Sequence, residues 1–212
     1  MIIPGIFETD FEIIKKQIKE MEGVAQIVQI DIDDGLIDNG LTFLDYERFN
    51  EIQTKLQYDL HLMVAHPIKF LEKPITNVVK VCTHVEAYDD IWEFLKKGKS
   101  IGYKAGLSIH LDSEPESWMK YVETCDFIQF MGVIPGAQGR KFDTTVLEKI
   151  EEFKKVFPGK PTQIDGGINE NTIHDVLKSG INDIVIGSQI FKSNDPKKSF
   201  NKFKEIYEKT LR

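Results

Sequence analysis

Two aspartates, each near the end of a short apolar segment and followed closely by glycine, have the positions expected of an acid/base pair. Asp31 lies in the segment Val28–Gly35, and Asp165 lies in the segment Pro161–Asn169. A carboxylate at the mouth of a buried strand is costly to bury and contributes little to packing. Because the two aspartates belong to strands far apart in sequence, they indicate one active site with two acid/base groups.

A second group of residues is rich in glycine and comes late in the chain. Glycines let the backbone approach a ligand closely, and backbone N–H groups beside a helix start suit a phosphate dianion. Arg140 either adds charge to this group or is an ordinary surface residue. The pattern predicts a small phosphorylated substrate. The residues are Gly136 and Gly139 after the sixth predicted strand, Gly166 and Gly167 after the seventh, and Gly187 and Ser188 after the eighth.

The elements that must position these residues are short apolar strands alternating with amphipathic helices. Because eight strand–helix units are spread evenly along the chain, the pattern favours a (β/α)8 TIM barrel over an open doubly wound sheet. No linker or composition break appears, so residues 1–212 are expected to form a single domain. The predicted strands are Ile2–Phe7, Ala25–Ile32, Tyr58–Met63, Asn77–Thr83, Lys104–Ile109, Phe127–Met131, Pro161–Ile164 and Asp183–Ile186.

In such a barrel the active site lies at the carboxyl ends of the strands. Gln29, Asp31 and Asp33 share one face of the second strand, because successive side chains of a strand alternate. The apolar face would pack on the helices, so the polar face is expected to point into the barrel mouth. One Asp-Gly turn or one histidine is often structural. The expected convergence of Asp31, His61 and Asp165 indicates instead a functional set.

The bulk properties exclude several classes of function. A net charge of −7 without a basic stripe argues against nucleic-acid binding. No apolar run approaches the ~18 residues of a membrane span, and the N-terminus lacks the features of a signal peptide. Cys82 and Cys125 are interpreted as small core residues in a reducing compartment. We therefore expect a cytoplasmic protein.

The motifs, taken together, resemble the ribulose-phosphate 3-epimerase family, and the resemblance covers nearly the whole chain in the right order. As a set these motifs are specific to that superfamily. They are Val28–Gly35, Asp59–Met63, His84–Ala87, Gly102–Gly106, Pro135–Phe142, Asp165–Asn169 and Gly187–Phe191.

The resemblance implies a reversible inversion at C3 that interconverts D-ribulose 5-phosphate and D-xylulose 5-phosphate. It implies that Asp31 and Asp165 transfer protons on opposite faces of an enediolate, and that a divalent metal (Zn, Fe, Mn or Mg) stabilises its oxygens. Asp31, His61 and Asp165 match three of the four metal ligands of the family. Met63 and Met131 match methionines that crowd the intermediate. The family also suggests a homo-oligomer.

Gln29 departs from the family, which has a histidine as its fourth metal ligand at this position. An amide oxygen is a weaker donor to zinc or iron than an imidazole nitrogen. Three interpretations stay open at this stage. The metal still binds through the other three ligands, with Gln29 or water in the fourth place. Alternatively, Gln29 donates its amide N–H to the enediolate, or the chain binds a sugar phosphate without turning it over.

Three functional hypotheses follow from these residues. The first is an epimerase for a pentulose phosphate or, because several residues at the sugar end differ from the family, for a hexulose 6-phosphate. The second is a non-catalytic barrel that binds a sugar phosphate. The third, a Schiff-base lyase, requires an inward lysine beside the carboxylates. The predicted strands offer only Lys80 and Lys104, and neither lies at a strand end beside the carboxylates, so this hypothesis is weak.

Overall fold

Eight parallel strands close into a barrel in which each strand pairs with the next and β8 pairs with β1. The computed structural model describes residues 1–134 and 139–210. Strand bounds differ from the predicted ones by two residues at most, and the predicted TIM-barrel class is confirmed. The strands are β1 (Ile2–Ile6), β2 (Ile27–Asp33), β3 (Gln57–Met63), β4 (Val78–His84), β5 (Lys104–Ile109), β6 (Phe127–Met131), β7 (Thr162–Asp165) and β8 (Asp183–Ile186).

Helices surround this barrel, and side-chain caps fix where several of them begin. The Asp10 carboxylate accepts the N–H groups of Glu12 and Ile13 at the start of the first helix. No helix in the two described ranges has the length and apolar character needed to cross a bilayer. The helices are α1 (Phe11–Met21), α2 (Ile91–Ser100), α3 (Pro115–Trp118), α4 (Thr145–Val156), α5 (Ile173–Lys178), α6 (Ser188–Phe191) and α7 (Pro196–Thr210).

The expectation of eight even strand–helix units is wrong at two places. The connections after β2 and β3 contain only the 3-10 turns Tyr46–Glu51 and Pro67–Leu71. Pro67 and Pro74 restrict the connection after β3, because proline fixes its own φ and biases the preceding residue away from the helical region. The connection after β2 opens with an Asp-Gly turn, and Gly35 has a φ of 73°. These two connections therefore return to the next strand without an α-helix.

One layer of the barrel interior is polar, whereas branched aliphatic residues dominate the interior of most TIM barrels. Hydrogen bonds join Gln163 on β7 to side chains of strands that are not its neighbours. These contacts are possible only if the side chains point inward and meet across the barrel. The buried polar residues of this layer are Gln29, Asp59, Lys80, Gln129 and Gln163. This layer lies beneath the strand ends that carry the candidate site.

Candidate active site

The two aspartates singled out in the sequence meet at the mouth of the barrel. Asp31 lies on the inward face of β2, and Asp165 is the last residue of β7, three strands away around the closed sheet. The amide Nε2 of Gln29 donates to Asp31 Oδ1 at 2.9 Å and to Asp165 Oδ2 at 2.6 Å. The Nδ1 of His61 lies 3.1 Å and 3.4 Å from the same two oxygens. The carboxylates therefore share two donors.

The orientation of the Gln29 amide follows from a chain of hydrogen bonds that starts at Lys80. The Lys80 ammonium can only donate, so the oxygen of Gln163 accepts from it. The Nε2 of Gln163 then donates to the oxygen of Gln29 at 3.0 Å. Gln29 is left with its N–H groups facing Asp31 and Asp165. Its amide oxygen points away from the two carboxylates, toward Gln163, so it does not face an ion bound between them.

The pKa values of the central groups reflect this arrangement. Burial raises the pKa of Asp31 to about 6, although its hydrogen bond with His61 acts in the opposite direction. Burial lowers the pKa of His61, but the hydrogen bonds to Asp165 and Asp31 outweigh it and raise that pKa to about 10. An imidazolium between two carboxylates stabilises their ionised forms. Near neutral pH, Asp31 can therefore both hold and release a proton.

Three of these groups also have the geometry to bind a metal. Ligand atoms of Asp31, His61 and Asp165 lie within 4.8 Å of one another. One imidazole and two carboxylates suit a divalent ion, and catalytic sites commonly use three protein ligands with water in the fourth position. The donor set therefore fits an ion held by three ligands. Because the N–H groups of Gln29 bind the same carboxylate oxygens, they compete with such an ion.

The pocket above the carboxylates is lined by most of the residues predicted to contact the substrate. Gly166 and Gly167 have φ values of 107° and 71°, which favour glycine. A Cβ added at Gly167 would lie 2.7 Å from the backbone of Phe142. Gly136 lies outside the described residues. The predicted residues that line the pocket are Asp31, His61, Met63, Met131, Gly139, Asp165, Gly166, Gly167, Gly187 and Ser188, and Arg140 joins them.

Sequence reasoning missed a second cluster at the mouth. Asp38, His84 and His110 also bring ligand atoms within 4.8 Å of one another. His84 and His110 end or follow strands in the sequence, which was an available signal, but Asp38 lies in a loop whose path the sequence does not show. His66, another histidine near a strand end, contacts Asp89 at the surface instead.

Sequence comparisons with known proteins give matches to one family. The model of the ribulose-phosphate 3 epimerase family matches residues 1–191. Ribulose-phosphate 3-epimerase from Aquifex aeolicus is 29% identical over 97% of this chain and 96% of its own. The enzyme of that name from Bacillus subtilis is 29% identical over 96% of this chain and 97% of its own.

Solved structures with low sequence identity share the fold. KGPDC from Streptococcus mutans superposes with a TM-score of 0.78 at 9% identity, covering 100% of this chain and 98% of that one. Orotidine 5'-monophosphate decarboxylase from Sulfolobus solfataricus gives 0.69 at 12% identity, covering 100% and 99% of the two chains. At these identities the similarity supports the barrel architecture alone.

Proposed function

The chain belongs to the ribulose-phosphate 3-epimerase family, a family of isomerases, and from that premise we propose that it interconverts D-ribulose 5-phosphate and D-xylulose 5-phosphate. One observation carries the proposal beyond family membership. Asp31 and Asp165 reach the same pocket from different strands and share the donors Gln29 and His61. Inversion at a carbon requires proton transfer on two faces, and two carboxylates supply it.

The proposed mechanism moves one proton off C3 and a different proton onto it. An ionised carboxylate removes the C3 proton, and the electron pair of the C–H bond passes into an enediolate. The other aspartate, protonated at the start, delivers its proton to the opposite face of C3. After one turnover the first carboxyl is protonated and the second is ionised. The two carboxyl groups are then in the protonation states that the reverse reaction requires.

The shared donors serve both directions of this exchange. Because Gln29 and His61 each contact both carboxylates, they stabilise the negative charge on either side. The pKa of Asp31, about 6, lies near the operating pH of a cell, where a general base is most efficient. If a divalent ion is bound by Asp31, His61 and Asp165, it supplies Lewis-acid stabilisation of the enediolate oxygens.

The phosphate of the substrate is assigned to the glycine-rich end of the pocket. Gly166 and Gly167 follow β7, and Gly187 and Ser188 follow β8, which is the common phosphate position of this fold. Arg140 lines the same pocket and can add a positive charge to it. The sugar then extends from these loops toward Asp31 and the methionines Met63 and Met131.

A hexulose 6-phosphate is the second candidate substrate. Asp33 is fully buried at the end of β2, and Asp38 and His110 lie beyond the strand ends on the side away from the phosphate loops. A sugar one carbon longer than a pentulose would extend toward this side of the mouth, opposite the phosphate loops. We propose a cytoplasmic setting, since both cysteines are buried and free. A homo-oligomer is proposed from family membership alone.

Solvent deuterium exchange tests the proposed reaction. Ribulose 5-phosphate is incubated with the protein in deuterated water, and incorporation at C3 is followed by NMR, with a hexulose 6-phosphate as a parallel substrate. We expect incorporation with the wild type and its loss in Asp31→Asn and Asp165→Asn. Glu12→Gln, on the exposed surface of α1, is the matched control. Thermal stabilisation by the sugar phosphate without any exchange would instead identify a non-catalytic binding protein.

A further inference from the structure

A second set of metal-binding side chains lies beside the carboxylate pair and belongs to different elements. Asp38 is in the loop after β2, His84 is the last residue of β4, and His110 directly follows β5. The Nε2 of His110 lies 3.8 Å from Asp38 Oδ1. The side chain of His84 is fully buried, and those of Asp38 and His110 are 5% and 13% exposed. The cluster is thus enclosed by the protein.

Several polar atoms of this cluster have no hydrogen-bond partner among the described residues. They are Asp38 Oδ2, His84 Nδ1, Glu86 Oε2 and His110 Nε2. Buried polar atoms are rarely left unpaired, and four such atoms in one place require an explanation. Glu86 Oε2 lies 3.8 Å from His84 Nδ1 and 4.0 Å from His110 Nε2. The atoms therefore face a common space.

The spacing of these atoms is close to that of a metal site. Zinc–nitrogen bonds of about 2.0–2.1 Å place neighbouring tetrahedral ligands roughly 3.4 Å apart. The Asp38–His110 separation is 3.8 Å, those to Glu86 Oε2 are 3.8 Å and 4.0 Å, and all three ligands lie within 4.8 Å of one another, so the side chains must move inward to hold an ion. Two imidazoles and a carboxylate are a common set for zinc and for ferrous iron. We propose that Asp38, His84 and His110 bind a divalent transition-metal ion, with Glu86 as the nearest fourth ligand.

This site and the Asp31–His61–Asp165 set are coupled through two histidine rings. The Nε2 atoms of His61 and His84 lie 2.7 Å apart, so one of them must donate a proton to the other. An ion on each Nδ1 would leave both neutral rings protonated at Nε2, with two N–H groups facing each other. Simultaneous binding of an ion at both sites is therefore disfavoured.

The second site is the one we assign to the ion. It offers two imidazoles where the first offers one, and transition metals prefer imidazole to carboxylate oxygen. The carboxylate oxygens of the first site are also bound by Gln29. An ion on Nδ1 of His84 leaves that ring's proton on Nε2, so His61, which is charged in the metal-free protein, must release its own Nε2 proton and accept there. The Nδ1–H of His61 then points at Asp31 and Asp165, and the carboxylate pair keeps its donor.

Zinc titration of the metal-free protein tests this assignment without relying on turnover. Protein dialysed against chelator is titrated with Zn²⁺ by calorimetry, and Co²⁺ absorption reports the number of ligands. We expect one equivalent of zinc to bind. Asp38→Asn and His110→Asn should each weaken binding at least 100-fold, whereas Asp165→Asn should change it less than threefold. Circular dichroism of the metal-free variants verifies folding, and Asp38→Asn, in a loop, decides the test if His110→Asn does not fold.

Three results would overturn the inference. A wild-type protein that does not bind zinc removes the site. Binding lost in Asp165→Asn but kept in Asp38→Asn places the ion on the family's ligands instead. Two equivalents of similar affinity contradict the coupling through His61 and His84. Because the measured quantity is zinc affinity, failure of this inference is distinct from failure of the proposed epimerase reaction.

Discussion

Replacing Gln29 by leucine removes the amide that joins the two carboxylates and keeps a side chain of similar size. Each carboxylate loses one N–H donor, at 2.9 Å for Asp31 and 2.6 Å for Asp165. Hydrogen bonds to charged groups contribute about 1.5–3 kcal/mol and are roughly twice as strong as neutral ones. The ionised carboxylate therefore loses about 0.7–1.5 kcal/mol more than the protonated form, which raises its pKa by about 0.5–1 unit.

The effect appears in the pH dependence of the epimerase reaction. The pKa of Asp31 is about 6, and this group must be ionised to act as base. The acid limb of kcat/KM for ribulose 5-phosphate should therefore move upward by about 0.5–1 pH unit in Gln29→Leu.

Gln129→Leu is the matched control for this experiment. Gln129 is equally buried and accepts from the same Gln163 amide at 2.7 Å, but its own amide contacts Met131 rather than a carboxylate. Both variants should lose stability, measured by urea unfolding, because each leaves Gln163 with one partner fewer. Only Gln29→Leu should shift the acid limb. An unmoved limb in that variant, or an equal shift in Gln129→Leu, would refute the role assigned to Gln29.

Three further predictions address the barrel interior and the phosphate loops. Lys80→Met should destabilise the protein by about 3–5 kcal/mol in urea unfolding, because Asp59 then stays buried without its cation. The double variant Lys80→Met/Asp59→Leu should recover most of the lost free energy of unfolding, because it removes the unpaired charge as well. Burial raises the pKa of Asp33 to about 6, so the ionisation of this carboxyl lowers the free energy of unfolding as pH rises from about 4 to 6. Asp33→Asn should therefore stabilise the protein by up to about 3 kcal/mol at pH 7.5 and hardly at pH 4. Thermal unfolding at both pH values measures the difference. Gly167→Ala should weaken the binding of inorganic phosphate, measured by calorimetry, at least tenfold, because the added Cβ would clash with the Phe142 backbone. Gly180→Ala is the control: Gly180 also has a positive φ, 76°, but its Cβ would make only an ordinary contact with the Lys154 side chain. Phosphate binding should be unchanged in that variant.

The sequence predicts the barrel well because strand and helix periodicities are local properties. Asp31, His61 and Asp165 could be grouped in advance, since parallel strands place their carboxyl ends at one end of a barrel. The connections after β2 and β3 were mispredicted because the even spacing of the strands implies a helix between each pair. That spacing does not reflect local residues that disfavour a helix, such as Pro67. The path of the loop that brings Asp38 to His110 depends on tertiary contacts, so that cluster could not be predicted.

The role of Gln29 was beyond sequence reasoning for a different reason. An amide offers both a donor and an acceptor, and only its surroundings decide which one faces a neighbour. Here the deciding group is Lys80, which acts through Gln163. The sequence shows that a histidine of the family is replaced, but it does not show that the replacement donates to the carboxylates instead of offering oxygen to a metal.

The chain of donors from Lys80 to the carboxylates has a consequence for how this protein can have arisen. A histidine at position 29 that gave one nitrogen to a metal would carry its proton on the other. That N–H would face the amide N–H of Gln163, which Lys80 holds in its present orientation. Introducing histidine at position 29 alone is therefore unfavourable, and such a change is expected to require a change at 80 or 163. In an ancestral reconstruction, histidine at 29 should be accompanied by different residues at 80 or 163.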